Sequence, residues 1–228
     1  MSKLNVLFVG DNRAGKTTFS RVLEELLMRG ARRKVYRVSF GTGLRKELTE
    51  YYGVPRTIVD TQDAKDKIYL RLGAYPYDPS MPQRWLEEGL IDHLKDFDQK
   101  MVTLRELLIH HGTDIRRSED THYWNPVLQG LINALPDHDI TICDDCRYSY
   151  DFDLFKNKPM IGFHLSNGLE SPHDKAQQAA QEMVEQNSDR FHKLEVPVPL
   201  LDYTTETIIR VKVLPEIQKF YQQDGENE

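Results

Sequence analysis

The chain has 228 residues, 39% of them hydrophobic and 29% charged, with a formal net charge of −6. That length supports one domain with a full core and inserted helices. The composition excludes a membrane-spanning chain, since no run of ~18 apolar residues occurs, and argues against a long nucleic-acid footprint, which needs a basic surface.

Leu4 to Val9 is short, apolar and closed by Gly10, which predicts a buried strand. From Gly15 the spacing turns helical, with Phe19, Val22, Leu23, Leu26 and Leu27 on one face and Gly30 as the stop. Val35 to Phe40 alternates and predicts a second strand. Leu44 to Tyr52 predicts a short helix broken by Gly53 and Pro55. Asp63 to Leu72 is compatible with a helix, whereas Gly73 to Pro82 holds three prolines and reads as loop. Trp85, Leu86, Leu90, Ile91, Leu94 and Phe97 mark an amphipathic helix. Met101, Leu104, Leu107 and Leu108 mark another, stopped at Gly112.

Residues 113–121 are polar, and Tyr123 to Leu135 returns to helix with Pro126 in its first turn. Ile140 to Cys143 and Met160 to Leu165 predict a third and a fourth strand. The stretch 166–193 is polar, with helix-favouring Ala and Gln near its centre. Leu194 to Leu201 predicts a fifth strand, confined to an edge by Pro197 and Pro199. Thr205 to Tyr221 is a closing helix, and residues 222–228 a frayed tail. Strands alternating with helices predict an α/β fold, its sheet mostly parallel with helices on both faces.

Basic residues gather at Arg29, Arg32, Arg33, Lys34 and Arg37, then Arg45 and Lys46, and acidic ones at Glu87, Glu88, Asp92, Asp96 and Asp98. Both runs read as solvated faces. Cys143 and Cys146 are the only two cysteines. Structural zinc takes four ligands, and no second pair stands at matching spacing, so two reduced thiols are expected, one of them inside a strand. Met1-Ser2-Lys3-Leu4 runs straight into the first strand without the longer apolar region of a signal peptide, so a cytoplasmic protein is expected.

The strongest motif is Gly10-Asp11-Asn12-Arg13-Ala14-Gly15-Lys16-Thr17, followed by Thr18. Its form is G-x-x-x-x-G-K-T at a strand-to-helix junction. The glycines let the backbone curl so that successive N–H groups point at a β-phosphate, and the helix N-terminus adds partial positive charge. Lys16 can reach the β- and γ-phosphates, and the Thr17 hydroxyl can ligate Mg²⁺. Gly10, Asn12, Arg13, Ala14, Gly15, Lys16, Thr17 and Thr18 are therefore the expected binding residues for ATP with Mg²⁺. The N-K-x-D motif of a GTPase is absent. A small kinase remains, which needs arginines to neutralise two facing phosphates.

Four further blocks follow in order: Thr103-Leu-Arg-Glu-Leu-Leu108, Gly112-Thr-Asp-Ile-Arg-Arg117, Asp120-Thr-His-Tyr-Trp124 and Ile142-Cys-Asp-Asp-Cys-Arg147. Together with the cradle they resemble the bacteriophage deoxynucleoside monophosphate kinase family, related in fold to the adenylate and thymidylate kinases. The resemblance covers residues 1–55 and 100–165. It implies the three-layer P-loop fold as a single domain, with residues 42–125 as a helical acceptor-binding and lid region. It also implies the cytoplasm of a phage-infected bacterial cell and small nucleotide substrates; assembly into a homodimer stays open.

Carried over by position, Arg45, Arg105, Arg117, Asp145 and Arg147 line the cleft between ATP and the acceptor nucleotide, with Asp120 and Trp124 on the acceptor side. A monophosphate brings about −2 charge, so cationic forks must hold it in line. Lys16, Asp145, Arg147 and Arg117 are the expected catalytic set, and Thr17 with Asp145 the expected Mg²⁺ side. Asp144 competes with Asp145, and Arg116 with Arg117. Trp124 and Tyr123 are candidates for stacking on a base or for core packing. His110, His111, His122 and His164 have no matching ligand set and read as structural or solvated. The family often carries glutamine where this chain has Ile109, so a base contact is lost there.

Three functions are compatible with these residues. The first is transfer of the γ-phosphate of ATP to a deoxynucleoside monophosphate. The second is the same transfer to a hydroxymethyl-pyrimidine base in DNA, for which the Arg29–Arg37 cluster would track a strand. The third is an ATP-binding switch without transfer.

Overall fold

The computed structural model describes residues 3–11, 13–30, 33–59, 69–71, 101–168 and 175–225. The loop expected at 73–82, the helix expected at 85–97 and the acidic run 87–98 lie outside the described residues. In chain order the elements begin with β1 (Leu4–Gly10), α1 (Lys16–Gly30), β2 (Val35–Val38), α2 (Phe40–Tyr52), α3 (Arg56–Val59), β3 (Tyr69–Arg71) and β4 (Met101–Thr103). Next come α4 (Leu104–Ile109), which continues as a π-helix over His110–Arg117, then α5 (Trp124–Asn133), β5 (Ile140–Cys143), α6 (Ser149–Phe152) and β6 (Met160–Ser166). The chain closes with α7 (Lys175–Gln186), β7 (Phe191–Glu195), α8 (Asp202–Ile208), a π segment over Ile209–Val213, and α9 (Leu214–Gly225).

Two compact units result: residues 1–40 with 124–228, and residues 41–123. The first carries a five-stranded sheet in the order β2-β5-β1-β6-β7, parallel at every pairing. The expected α/β fold with a parallel sheet is thus observed. Parallel strands need crossover connections, and the intervening helices supply them. Central β1 is buried along Leu4–Val9 and β5 along its whole length, as strands covered on both faces must be. Leu4, Val6, Phe8, Phe19, Leu23, Ile140, Ile142, Phe163 and Leu165 belong to one core, closed by Ile209, Val213 and Ile217. Each fully buried side chain of this size contributes roughly 1.5–3 kcal/mol.

Several boundaries differ from expectation. Phe40 opens α2 rather than ending β2, because its N–H donates to the Asp145 carboxylate at 2.9 Å and the Ser39 hydroxyl donates to the same carboxylate at 2.5 Å. A carboxylate at a helix start satisfies an otherwise orphaned N–H, so the helix begins four residues before Leu44. Residues 69–71 form a strand paired antiparallel with β4, not helix. The fifth strand is Phe191–Glu195, so Leu194 lies near its end and Pro197 and Pro199 fall outside the ladder. It is an edge strand, as expected, although with both prolines beyond its end they are not the cause.

The second unit packs Leu48, Tyr52, Val54, Val59, Leu104 and Leu107 into a small core. Thr103 and Glu106 form a capping box at the start of α4, with Glu106 N–H donating to Thr103 Oγ1 at 3.1 Å and Thr103 N–H to Glu106 Oε2 at 2.7 Å. Gly112 does not stop this helix. A Cβ there would lie 2.9 Å from Leu44 Cδ2, so the glycine serves close packing against α2 while the chain continues to Arg117 in π form. The polar segment 113–121 is thus largely helical.

Candidate active site

In the first unit, the order of the sheet places β1 between β5 and β6, so the loops leaving β1 and β5 meet at the carboxyl edge of the sheet. Open α/β sheets bind ligands at such a switch point. The β1 loop has Gly10 at φ +124°, Arg13 at +59° and Gly15 at +80°. A Cβ on Gly10 would sit 2.1 Å from the Leu165 carbonyl oxygen, a backbone atom that cannot yield, so only glycine fits. Arg13, exposed, adopts the same left-handed region despite its side chain, and the curl that orients the loop N–H groups depends on it. Ala14 is fully buried, Thr18 is half-buried and Thr17 is exposed. Asn12 lies outside the described residues.

Lys16 opens α1 and folds back over the loop. Its Nζ donates to the Gly10 carbonyl at 2.9 Å and to the Asp11 carbonyl at 2.7 Å. Asp11, inside the cradle, would repel a phosphate if its carboxylate faced inward. Instead that carboxylate accepts from Ser166 Oγ at 2.9 Å, the Asn167 N–H at 2.9 Å and Gln177 Nε2 at 3.1 Å. These donors turn the charge toward the end of β6 and the start of α7, and they fix the loop from outside.

The two strand-end carboxylates have separate partners. Asp144 accepts from the Ser20 hydroxyl at 2.9 Å, with the Thr17 side chain nearby. Burial, and after it the neighbouring Asp145 charge, pushes the Asp144 carboxyl above its ordinary range despite these groups. Asp145, expected on the metal side, is instead taken up by Ser39 and the first N–H of α2. Cys143 Sγ also lies 3.5 Å from Asp145 Oδ1. Cys143 and Cys146 are not bridged and both are buried, and burial pushes the Cys143 thiol well up. Arg147 is exposed; its N–H donates to Asp151 Oδ2 at 3.1 Å, and its guanidinium has no hydrogen bond or ion pair among the described residues.

The donor set suits a nucleoside triphosphate with Mg²⁺. No cluster of three or more His, Cys, Asp or Glu is arranged for a metal among the described residues. Mg²⁺ beside phosphates needs only one or two protein oxygens, the rest coming from phosphate and water. The Thr17 hydroxyl and the Asp144 carboxylate, near one another at the head of α1, are such a pair.

Trp124 corrects an expectation. It is 2% exposed, so its ring has no face open to a base, and it packs at the start of α5. Trp124→Phe is expected to leave nucleotide binding unchanged, while Trp124→Ala costs about 3–5 kcal/mol in a denaturant titration.

The second unit holds Arg45 half-buried on α2, Arg105 exposed on α4 and Arg117 half-buried at the end of the π-helix. Arg45 Nη2 lies 3.5 Å from Thr42 Oγ1. Asp120 is exposed and closes the turn before α5, its Oδ1 accepting the His122 N–H at 2.8 Å.

A buried polar network, not anticipated from the sequence, organises this unit. Glu47 accepts from His111 Nε2 at 2.8 Å, Arg116 Nε at 2.9 Å and the Tyr123 hydroxyl at 2.7 Å. Arg116 Nη2 donates to Tyr51 Oη at 2.9 Å, and the Tyr52 hydroxyl pairs with His111 Nδ1 at 3.1 Å. His111 and Arg116 are five residues apart, opposite-facing in an α-helix but aligned by i→i+5 winding. Burial alone would raise the Glu47 carboxyl, but its three donors hold it below the ordinary range. Burial lowers His111, with Glu47 opposing. It is therefore a neutral ring donating through Nε2. Arg116 is thereby taken up within the network, and Arg117 follows it as the last residue of the π-helix.

Among the described residues no helix is long and apolar enough to cross a membrane. No family model and no curated protein matches the chain. Among solved structures, a shikimate kinase from Acinetobacter baumannii in complex with shikimate is similar over 94% of this chain and 93% of that one, at 12% identity and a TM-score of 0.37. A likeness that weak adds nothing to the geometry above.

Proposed function

We propose that this chain is a P-loop kinase that transfers the γ-phosphate of ATP to a deoxynucleoside monophosphate, giving ADP and a deoxynucleoside diphosphate. The observation that carries this reading is the curled Gly10–Thr17 loop, with Lys16 folded over it and Asp144 bonded to Ser20 one turn further along α1. Loop N–H groups grip the β-phosphate, and Lys16 leaves its two carbonyls to follow the migrating group. Thr17 and Asp144 hold the cation. We assign this role to Asp144 rather than Asp145 because Asp144 is bonded to Ser20 on α1, three residues beyond Thr17, whereas Asp145 is occupied at α2. Bound Mg²⁺ would supply charge neutralisation at the β- and γ-phosphate oxygens.

For the acceptor we propose Arg147 on the sheet-bearing unit, and from the resemblance of the sequence motifs alone Arg45, Arg105 and Arg117. The acceptor phosphate is already anionic, so its oxygen needs no general base; what it needs is guanidinium groups to hold it in line with the donor. Asp120 and Trp124 are left out of this set, one closing a turn and the other buried.

The test is transfer of label from γ-labelled ATP, with Mg²⁺, to a panel of natural and modified deoxynucleoside monophosphates, with hydroxymethyl-pyrimidine DNA in parallel. Labelled diphosphate is expected, falling at least ~10²–10³-fold in Lys16→Met. Label in the DNA alone would replace the acceptor, and ATP binding with no labelled acceptor would reduce the protein to a switch.

A further inference from the structure

We infer that Ser20, one turn beyond the glycine-rich loop, is a positioning residue that holds Asp144 in place for the cation; the inference rests on reading Lys16–Thr17 as a nucleotide–metal site. Ser20 is fully buried on α1, and its hydroxyl oxygen lies 2.9 Å from Asp144 Oδ2 and 3.0 Å from the Thr17 carbonyl. A hydroxyl has one proton, and a carboxylate is the stronger acceptor, so the proton goes to Asp144. Thr17 and Ser20 are three residues apart, hence on one face of α1. That face meets the end of β5, 124 positions later in the chain.

The Thr17 side chain also lies near Asp144. A Thr17 hydroxyl that ligates a cation gives its lone pair to the metal and is not available to orient the carboxylate as well. Ser20 is not part of the proposed ligand set and has no such competing duty. It is the donor that keeps Asp144 aimed. Outer donors of this kind typically matter about 10- to 100-fold in metal affinity.

The experiment measures Mn²⁺ binding to the full chain with saturating ADP by electron paramagnetic resonance, and ADP binding in EDTA by calorimetry, with no acceptor present. Ser20→Ala is expected to weaken Mn²⁺ about 10-fold or more in the ADP complex and to leave ADP affinity in EDTA unchanged. Ser20→Thr, which keeps the hydroxyl, is expected to restore Mn²⁺ affinity, and Ser20→Ala on an Asp144→Asn background is expected to add nothing further. Wild-type Mn²⁺ affinity in Ser20→Ala overturns the inference. So does an equal loss of ADP affinity in EDTA, which would make Ser20 a support of the loop rather than of Asp144. Failure to phosphorylate any nucleotide would sink the proposed function but leave these binding measurements standing.

Discussion

Asp144→Asn is expected to lower phosphoryl transfer on the order of 10³-fold while raising the melting temperature of the ligand-free protein. Both effects come from one placement. The carboxylate is largely removed from water, beside a second carboxylate, and its acid form is favoured relative to free aspartate. Asparagine removes the buried charge and the repulsion from Asp145 but keeps an oxygen for Ser20. Each kcal/mol of relief is read as about 2–4 °C in a chain of this size. Asp145→Ala is expected to behave in the opposite way. It removes the acceptor for Phe40 N–H and the Ser39 hydroxyl, costing about 1 kcal/mol as lost helix caps do. Calorimetry and the label-transfer assay, run on both variants, separate the two carboxylates. If Asp144→Asn keeps full activity, the cation assignment is wrong.

Arg116→Ala and Arg117→Ala, adjacent substitutions, are expected to fail in different ways. Arg116 is 5% exposed and bonded to Glu47 and Tyr51. Its loss leaves a buried carboxylate short of a charged donor, at a cost of about 3–5 kcal/mol. Amide exchange over residues 104–123 should accelerate accordingly. Arg117→Ala is expected to keep the exchange pattern and to raise KM for the acceptor about 10- to 100-fold, the worth of a charge-assisted hydrogen bond or two. The same network makes the second unit acid-labile. His111 is held below its ordinary value of 6.5, so below that pH the unfolded chain takes up a proton that the folded one refuses. Glu47 is held below 4.5, so its contribution persists above that value and disappears as pH falls through its lowered one. Both signs agree: protection over 104–123, taken relative to the intrinsic exchange rate at each pH, should fall as pH falls from 6.5, and His111→Gln should flatten the upper part of that slope.

The parts of this molecule readable in its sequence are those whose causes are local. β1, β5 and β6 are short apolar runs ended by turn signals, and the cradle is a fixed spacing of glycine, lysine and threonine. The unreadable parts have distant causes. Phe40 starts a helix because a carboxylate 105 positions away receives its N–H. Nothing near Phe40 announces that. Asp144 and Asp145 are adjacent in a strand end, so spacing placed them on opposite faces without saying which face carried Thr17. Gly112 reads as a helix stop unless one knows that Leu44 packs against it. Ser20 was closer to legible, since a polar residue on the buried face of an amphipathic helix, three residues after Thr17, needs a partner. The π winding at 110–117 left no local signature, and with it went the convergence of His111 and Arg116 on Glu47.

The grip of Lys16 on its own loop has a kinetic consequence. The Lys16 ammonium, seated on the Gly10 and Asp11 carbonyls, ties the start of α1 back to the end of β1 and braces the curl, so little of the loop needs reordering when an anion is captured. Encounter with the donor should then run near the speed set by diffusion and charge, slowing with added salt, while escape carries the variation among nucleotides.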